Sequence, residues 1–174
     1  AVLGAVRHPV RRVALATIYA LGLRLNEGLA LETGHIDADR LLVWVRNGKG
    51  GVDRGVPLPR PLLARLRRYW REERPTCATP HLFIAEGREA PLHETTLQKT
   101  FKAARLDVGL AKDASIHTLR HSYATHLLEA GITLRTIQQV LGHKSLRTTE
   151  VYMHVTQPGT EHLQATLDRL MAGL

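Results

Sequence analysis

A single cysteine, Cys77, is present in the 174 residues. That excludes an intrachain disulfide and leaves no pair of thiolates for a metal. An inert thiol in a reducing compartment is the expected state of Cys77. No apolar run approaches the roughly 20 residues a membrane-spanning helix needs. The first residues lack the charged and apolar regions of a signal peptide, and no internal repeat or low-complexity tract occurs. Acidic residues are scarce, 16 Asp and Glu against 24 Lys and Arg, for a formal net charge of +8 and a pI near 10.2. That balance favours a polyanionic partner, because neutralising phosphates releases condensed counterions. Lysine is rarer still: apart from Lys49, Lys99, Lys102, Lys112 and Lys144 the basic residues are arginines. Arginine's planar fork suits phosphate, although a GC-rich genome produces the same bias. Length and composition, 44% hydrophobic and 23% charged, predict one globular domain over residues 1–174. A cytoplasmic, nucleoid-associated location and a bacterial, phage or mobile-element origin are expected.

Periodicity divides the chain into mostly helical pieces. Val10 to Leu21 reads as a buried helix that Gly22 interrupts, and Leu25 to Thr33 as a second, with Leu29, Ala30 and Leu31 turned inward. Gly28 inside that second helix costs about 1 kcal/mol relative to alanine, for no purpose the sequence reveals. Leu41 to Arg46 has strand composition, Asn47 to Gly51 turn composition, and Arg54 to Leu58 returns as a partner strand. Pro59 to Arg74 predicts a strongly basic amphipathic helix with Leu62, Leu63, Leu66, Tyr69 and Trp70 as its apolar stripe. Further helices are expected over Glu94 to Val108, over Thr118 to Ala130 closed by Gly131, and over Leu134 to Leu141 closed by Gly142. A short helix from Leu146 to Val155 carries Tyr152 and stops at Pro158-Gly159. Apolar residues from Leu163 to Leu174 then give an amphipathic tail helix. The predicted class is mainly α with a small antiparallel β-hairpin or sheet (α+β).

Bases and cations gather in this sequence around one phenol. His117-Thr118-Leu119-Arg120 puts a histidine and an arginine on one helix face. His143 follows Gly142 at a helix end, and Tyr152 lies among Thr148, Thr149, Glu150 and His154, with no broad apolar face to enclose it. Upstream, Arg24 stands between Leu23 and Leu25 at the junction of two apolar helices. A charge there needs a partner, and Glu27 three residues on can orient it. Lys49 occupies a glycine-flanked turn. Tyrosine, with an ordinary pKa near 10, needs a base or a strong cationic field before it attacks. Attack on an anionic phosphodiester gathers further negative charge, which two arginines, Arg24 and Arg120, can offset. His121, His126 and His154 are expected to be solvated or to hydrogen-bond within the core.

The segment Ile116 to Val155 resembles the C-terminal boxes of the tyrosine recombinase (phage integrase) family. Gly22-Leu23-Arg24-Leu25-Asn26-Glu27 resembles its first box, and Gly48 to Leu58 its lysine-bearing hairpin. The three occur in family order over nearly the whole chain. The resemblance implies a tyrosine recombinase catalytic-domain fold and a site of Arg24, Lys49, His117, Arg120, His143 and Tyr152. It makes Tyr152 the nucleophile, Lys49 the acid for the leaving 5′-oxygen, His117 an acid/base and His143 a hydrogen-bond donor to phosphate. The implied reaction is strand cleavage and rejoining through a 3′-phosphotyrosyl intermediate, using no cofactor and no metal. The implied partners are a double-stranded DNA recombination site and, for full-length relatives, a tetramer on synapsed DNA; no membrane is involved.

Departures from the family pattern are few. Leu21 stands where threonine is common and Asn26 where serine is common. The N-terminal core-binding domain of the family is expected to be absent here, with the first catalytic-domain helix clipped. The Lys49-to-His117 spacing leaves no room for the insertion of integron integrases, which favours a compact integrase or Xer-like type. The tail helix could pack on its own domain or dock on a neighbouring subunit. The arginines at 65, 67, 68, 71 and 74 form a solvated face or a DNA-backbone track. Two other functions compete. Leu134 to Tyr152 resembles a helix-turn-helix, which suits a non-enzymatic DNA-binding regulator, although a regulator has no use for Arg24 or Lys49. A metal hydrolase fits less well, because His117, His121 and His126 do not share one helix face well and no HExxH or carboxylate cluster accompanies them.

Overall fold

The computed structural model describes residues 2–46, 53–85, 87, 89–111, 113–142 and 157–172. Its centre is one apolar helix. A short helix α1 (Val2–Ala5) leads into α2 (Pro9–Ala20), where Pro9 supplies the fixed φ and missing N–H that a first helical turn tolerates. Val10, Val13, Ala14, Leu15, Ala16, Ile18 and Ala20 are all buried, and α2 packs against α1 and against most of the helices named below. It ends in a left-handed turn at Gly22 (φ 58°), with Gly22 N–H donating to Tyr19 O and Leu23 N–H to Ile18 O. These two bonds form a Schellman motif, which glycine permits at low cost.

After α3 (Leu25–Leu29) and a 3-10 turn (Thr33–His35) comes a three-stranded antiparallel sheet, β1 (Ile36–Asp37), β2 (Leu42–Val45) and β3 (Arg54–Pro57), in that order. Val43 pairs with Ile36 on one side and Val56 on the other. Helices α4 (Arg60–Glu72), α5 (Glu94–Asp107), α6 (Ile116–Glu129), α7 (Leu134–Leu141) and α8 (Gln157–Ala172) complete the described elements. The mainly α class with a small antiparallel sheet holds. No helix among the described residues is long and apolar enough to cross a membrane.

Several boundaries differ from the sequence-based expectation, each for a physical reason. The second helix stops at Leu29, leaving Ala30 exposed, because the chain turns there to feed the sheet. Two residues of β1 make pairs too short to leave a period-2 signature. Trp70 lies outside the buried stripe of α4 at 46% exposure, with the Arg74 guanidinium 4.2 Å from its ring centroid. Pro158 and Gly159 lie inside the first turn of α8 instead of ending a helix, since proline is favoured in a first turn. The Asn47-to-Gly51 turn and the predicted Tyr152 helix fall outside the described residues.

The tail helix packs within its own chain. Leu163, Leu167 and Met171 are buried. Gln164 Nε2 donates to Leu58 O at 3.0 Å, and Asp168 Oδ1 accepts the Arg60 backbone N–H at 2.8 Å.

Gly28 now has a purpose. A Cβ there would lie 2.5 Å from Ile18 Cγ1, so glycine lets α3 close against α2 and fixes the Arg24 end of α3. Helix propensity alone favours Gly28→Ala by about 1 kcal/mol, but overpacking a core typically costs about 1–3 kcal/mol. Gly28→Ala should therefore lower the urea midpoint; a variant as stable as wild type would refute the close-approach account.

Candidate active site

Glu27 is the residue on which the cations converge. Arg24 is the N-cap of α3. Its backbone N–H donates to Glu27 Oε2 and its Nη1 to Oε1, both at 2.8 Å. Arg54, the first residue of β3, adds a bidentate pair, Nη1 to Oε1 at 3.0 Å and Nη2 to Oε2 at 2.8 Å. Arg120, from the second turn of α6, brings its Nη1 to 3.8 Å from Glu27 Oε2. The same Nη1 donates to Gly22 O and Nη2 donates to Leu141 O, each at 2.7 Å. Three guanidiniums face one carboxylate, so two positive charges are left in excess.

Burial, at 9% side-chain exposure, works against ionisation of Glu27. The hydrogen bonds from Arg54 and from the Arg24 backbone outweigh it and hold the pKa at about 2. Burial, and then the neighbouring Arg24 charge, push Arg120 down to about 10, which leaves it cationic at neutral pH. Behind Arg120 the Tyr123 ring fills the space a Gly22 side chain would need, its Cδ1 being 2.4 Å from a Cβ placed there. Burial raises the Tyr123 hydroxyl well above the usual tyrosine range, and that hydroxyl has no hydrogen-bond partner among the described residues. Tyr123 is thus a packing residue.

Arg24 and His117 line one open groove of about 880 Å³, together with Arg46, Asp53 and Gln98. His117 is exposed on the first turn of α6, a start stabilised by Ser115 N–H donating to Thr118 Oγ1 at 3.0 Å. His117 and Arg120 share a helix turn but differ in depth: the histidine faces the groove, while Arg120 is 7% exposed and meets Arg24 through Glu27. Lys49, His143 and Tyr152 lie outside the described residues. Among the rest, His126 Nδ1 is 2.7 Å from Tyr19 Oη, a hydrogen bond inside the domain. No group of three His, Cys, Asp or Glu that could hold a metal occurs among the described residues.

Sequence reasoning singled out Arg24 and Arg120 but passed over Arg54, which grips Glu27 most fully. A signal existed. Arg54 and Val56 alternate along β3, so they point to one face, and Val56 is wholly buried. An arginine on that face required a buried counter-ion.

Arginines from three distant segments thus meet around one carboxylate beside an open groove. The chain belongs to the phage integrase family, whose model matches residues 6–158. It is 38% identical over 160 residues to tyrosine recombinase XerA of Pyrococcus furiosus, covering 91% of this chain and 54% of that protein. The crystal structure of XerA recombinase superposes with a TM-score of 0.72 at 28% identity, over 94% of this chain and 59% of that one. The post-cleavage complex of XerH site-specific recombinase with a palindromic difH substrate gives 0.71 at 25% identity, over 94% and 49%. The chain thus spans about half the length of the relatives it matches.

Replacing Glu27 by glutamine keeps its shape and strands buried arginines without a counter-charge, a change that typically costs about 3–5 kcal/mol. A carboxylate with a lower pKa folded than unfolded contributes stability that is complete above its ordinary value of 4.5 and drains away as pH falls toward about 2. Urea denaturation should therefore show a large deficit for Glu27→Gln at pH 7 that narrows steadily between pH 4.5 and pH 2. A deficit independent of pH would mean that the charge of Glu27 is not what holds the cluster.

Proposed function

We propose that the chain is the catalytic domain of a site-specific DNA recombinase or integrase of the Xer-like or compact type, acting on a double-stranded recombination site. One observation carries the reading furthest: Glu27 holds Arg24 and Arg120 as fixed charge beside a groove that His117 also lines. Relatives named tyrosine recombinases, and a recombinase of similar fold solved with its DNA substrate, support the same reading.

In the reaction, the Tyr152 phenol oxygen attacks phosphorus and the bond from phosphorus to the 5′-oxygen breaks. The tyrosyl proton leaves, with His117 as its acceptor, and Lys49 supplies a proton to the departing 5′-oxygen. One phosphodiester is exchanged for another, so a 5′-hydroxyl of a second strand can reverse the step with no net input of bond energy. Arg24 and Arg120 face the non-bridging oxygens, where a pentacovalent transition state concentrates negative charge, and His143 adds a hydrogen bond. Guanidiniums fixed before the substrate arrives need no reorganisation during reaction. In the assembled protein the exchange would take place within a tetramer on paired DNA sites, at the nucleoid.

The test is a nicked suicide duplex incubated with the protein in EDTA. An SDS-resistant protein–DNA adduct should form and should vanish in Tyr152→Phe, and Arg24→Ala should slow it about 10²–10³-fold. DNA binding with no adduct under any condition would sink the reading in favour of a regulator. Cleavage abolished by EDTA would point to a metal enzyme. Because type IB topoisomerases share this chemistry, relaxation of supercoiled DNA is measured alongside; site-independent relaxation would redirect the assignment.

A further inference from the structure

We propose that Arg54 is a positioning residue for strand cleavage, one that fixes the Arg24–Glu27 corner and the Gly142 end of α7 relative to each other; the proposal rests on the recombinase reading above. Arg54 is not placed to touch substrate. Its side chain is 10% exposed, and all three of its nitrogens point inward to protein partners. Nη1 and Nη2 take both oxygens of Glu27, while Nε donates to Val140 O at 3.0 Å. One planar group therefore joins three segments remote in sequence: the start of α3, the start of β3 and the end of α7.

The α7 end is unusual in what it presents. Adjacent carbonyls at its C-terminus are claimed by two different arginines, Val140 O by Arg54 and Leu141 O by Arg120, and both guanidiniums face Glu27. The next residue, Gly142, turns left-handed at φ 65°. A Cβ there would lie 2.9 Å from Arg54 Cδ, so the arginine stem also packs against the turn. The direction in which the chain leaves α7 is thereby referred to the same carboxylate that holds Arg24. In sequence, Arg54 is five residues after Lys49, and Val140 is three before His143. Arg54 thus ties together the described anchors nearest to two groups proposed to act on the phosphate.

A simple stabilising ion pair would tolerate other solutions. Lysine keeps the charge, and buried pairs are often replaceable by apolar residues of similar volume. A positioning role is stricter, because no single point charge donates in two opposite directions from a rigid plane. Small displacements of a reacting group are costly: a 1 Å error can slow a reaction about 100-fold.

The experiment compares wild type, Arg54→Lys and Arg54→Met in single-turnover cleavage of the suicide duplex at saturating DNA. DNA affinity, thermal midpoint and hydrogen exchange at the Gly142 amide are measured on the same preparations. Expected for both variants is adduct formation slowed about 10–100-fold, DNA Kd within about twofold of wild type, and at least about tenfold faster exchange at Gly142. Arg54→Lys should keep a thermal midpoint close to wild type, so that loss of rate is not loss of fold. A lysine variant that cleaves at the wild-type rate would overturn the proposal, and so would a rate loss fully matched by weaker DNA binding. A wild-type protein that forms no adduct refutes the recombinase reading itself. In that event the exchange measurement still judges Arg54: unchanged exchange at Gly142 shows that it does not anchor α7.

Discussion

Removing a carboxylate from water costs several kcal/mol even after relaxation, and only close, well-aligned cations recover it. Glu27 meets that requirement with more positive charge than neutralisation needs. Arg24 and Arg54 satisfy both of its oxygens directly, and Arg120 stands at the edge of the cluster with its own hydrogen bonds on two backbone carbonyls. From the standpoint of stability alone such a network is a poor choice, since an apolar core of the same volume would serve as well. Its value lies in what an apolar core cannot supply: positive charge fixed in place and already desolvated on one side. The groove beside it meets a field that is fixed by the fold itself.

That field depends on how closely three backbones approach one another. Gly28 lets α3 lie against Ile18, and Gly22 lets α2 turn beneath the Tyr123 ring. Between these two glycines, Leu23 and Leu25 are buried and pin the segment that carries Arg24. The Gly22 carbonyl freed by the left-handed turn then becomes an acceptor for Arg120. The end of the first long helix is therefore part of the charge platform. A side chain at either glycine would act on the arginines through the backbone, not through lost contacts of its own.

Much of this was legible in the sequence, and the limits of legibility follow a pattern. Helices with a one-sided apolar period, such as α4 and α7, were placed within about two residues, and Gly142 marked its helix end because only glycine takes that conformation cheaply. The Arg24–Glu27 contact was readable because three residues along a helix are neighbours. What escaped was non-local. Gly28 has no local rationale, because what it accommodates is Ile18, ten residues earlier in the chain. Arg54 looked like the rim of a hairpin, because its partners Glu27 and Val140 lie 27 and 86 residues away. Trp70 was misplaced because an apolar ring at the edge of a stripe can be covered by Arg74 as well as by the core. Local propensity has no access to such pairings.

The same pattern separates two kinds of site residue. Arg24, at the start of α3, and Arg120, in the second turn of α6, are cross-braced through one carboxylate. Of the other residues proposed for the site, His117 stands on the first turn of α6, while Lys49, His143 and Tyr152 lie outside the described residues. A charge clamp works best when it does not move. Arg54 bonds to Glu27 on one side and to the end of α7 on the other, and Arg120 spans the same two points less directly, so a shift in either would be felt by both.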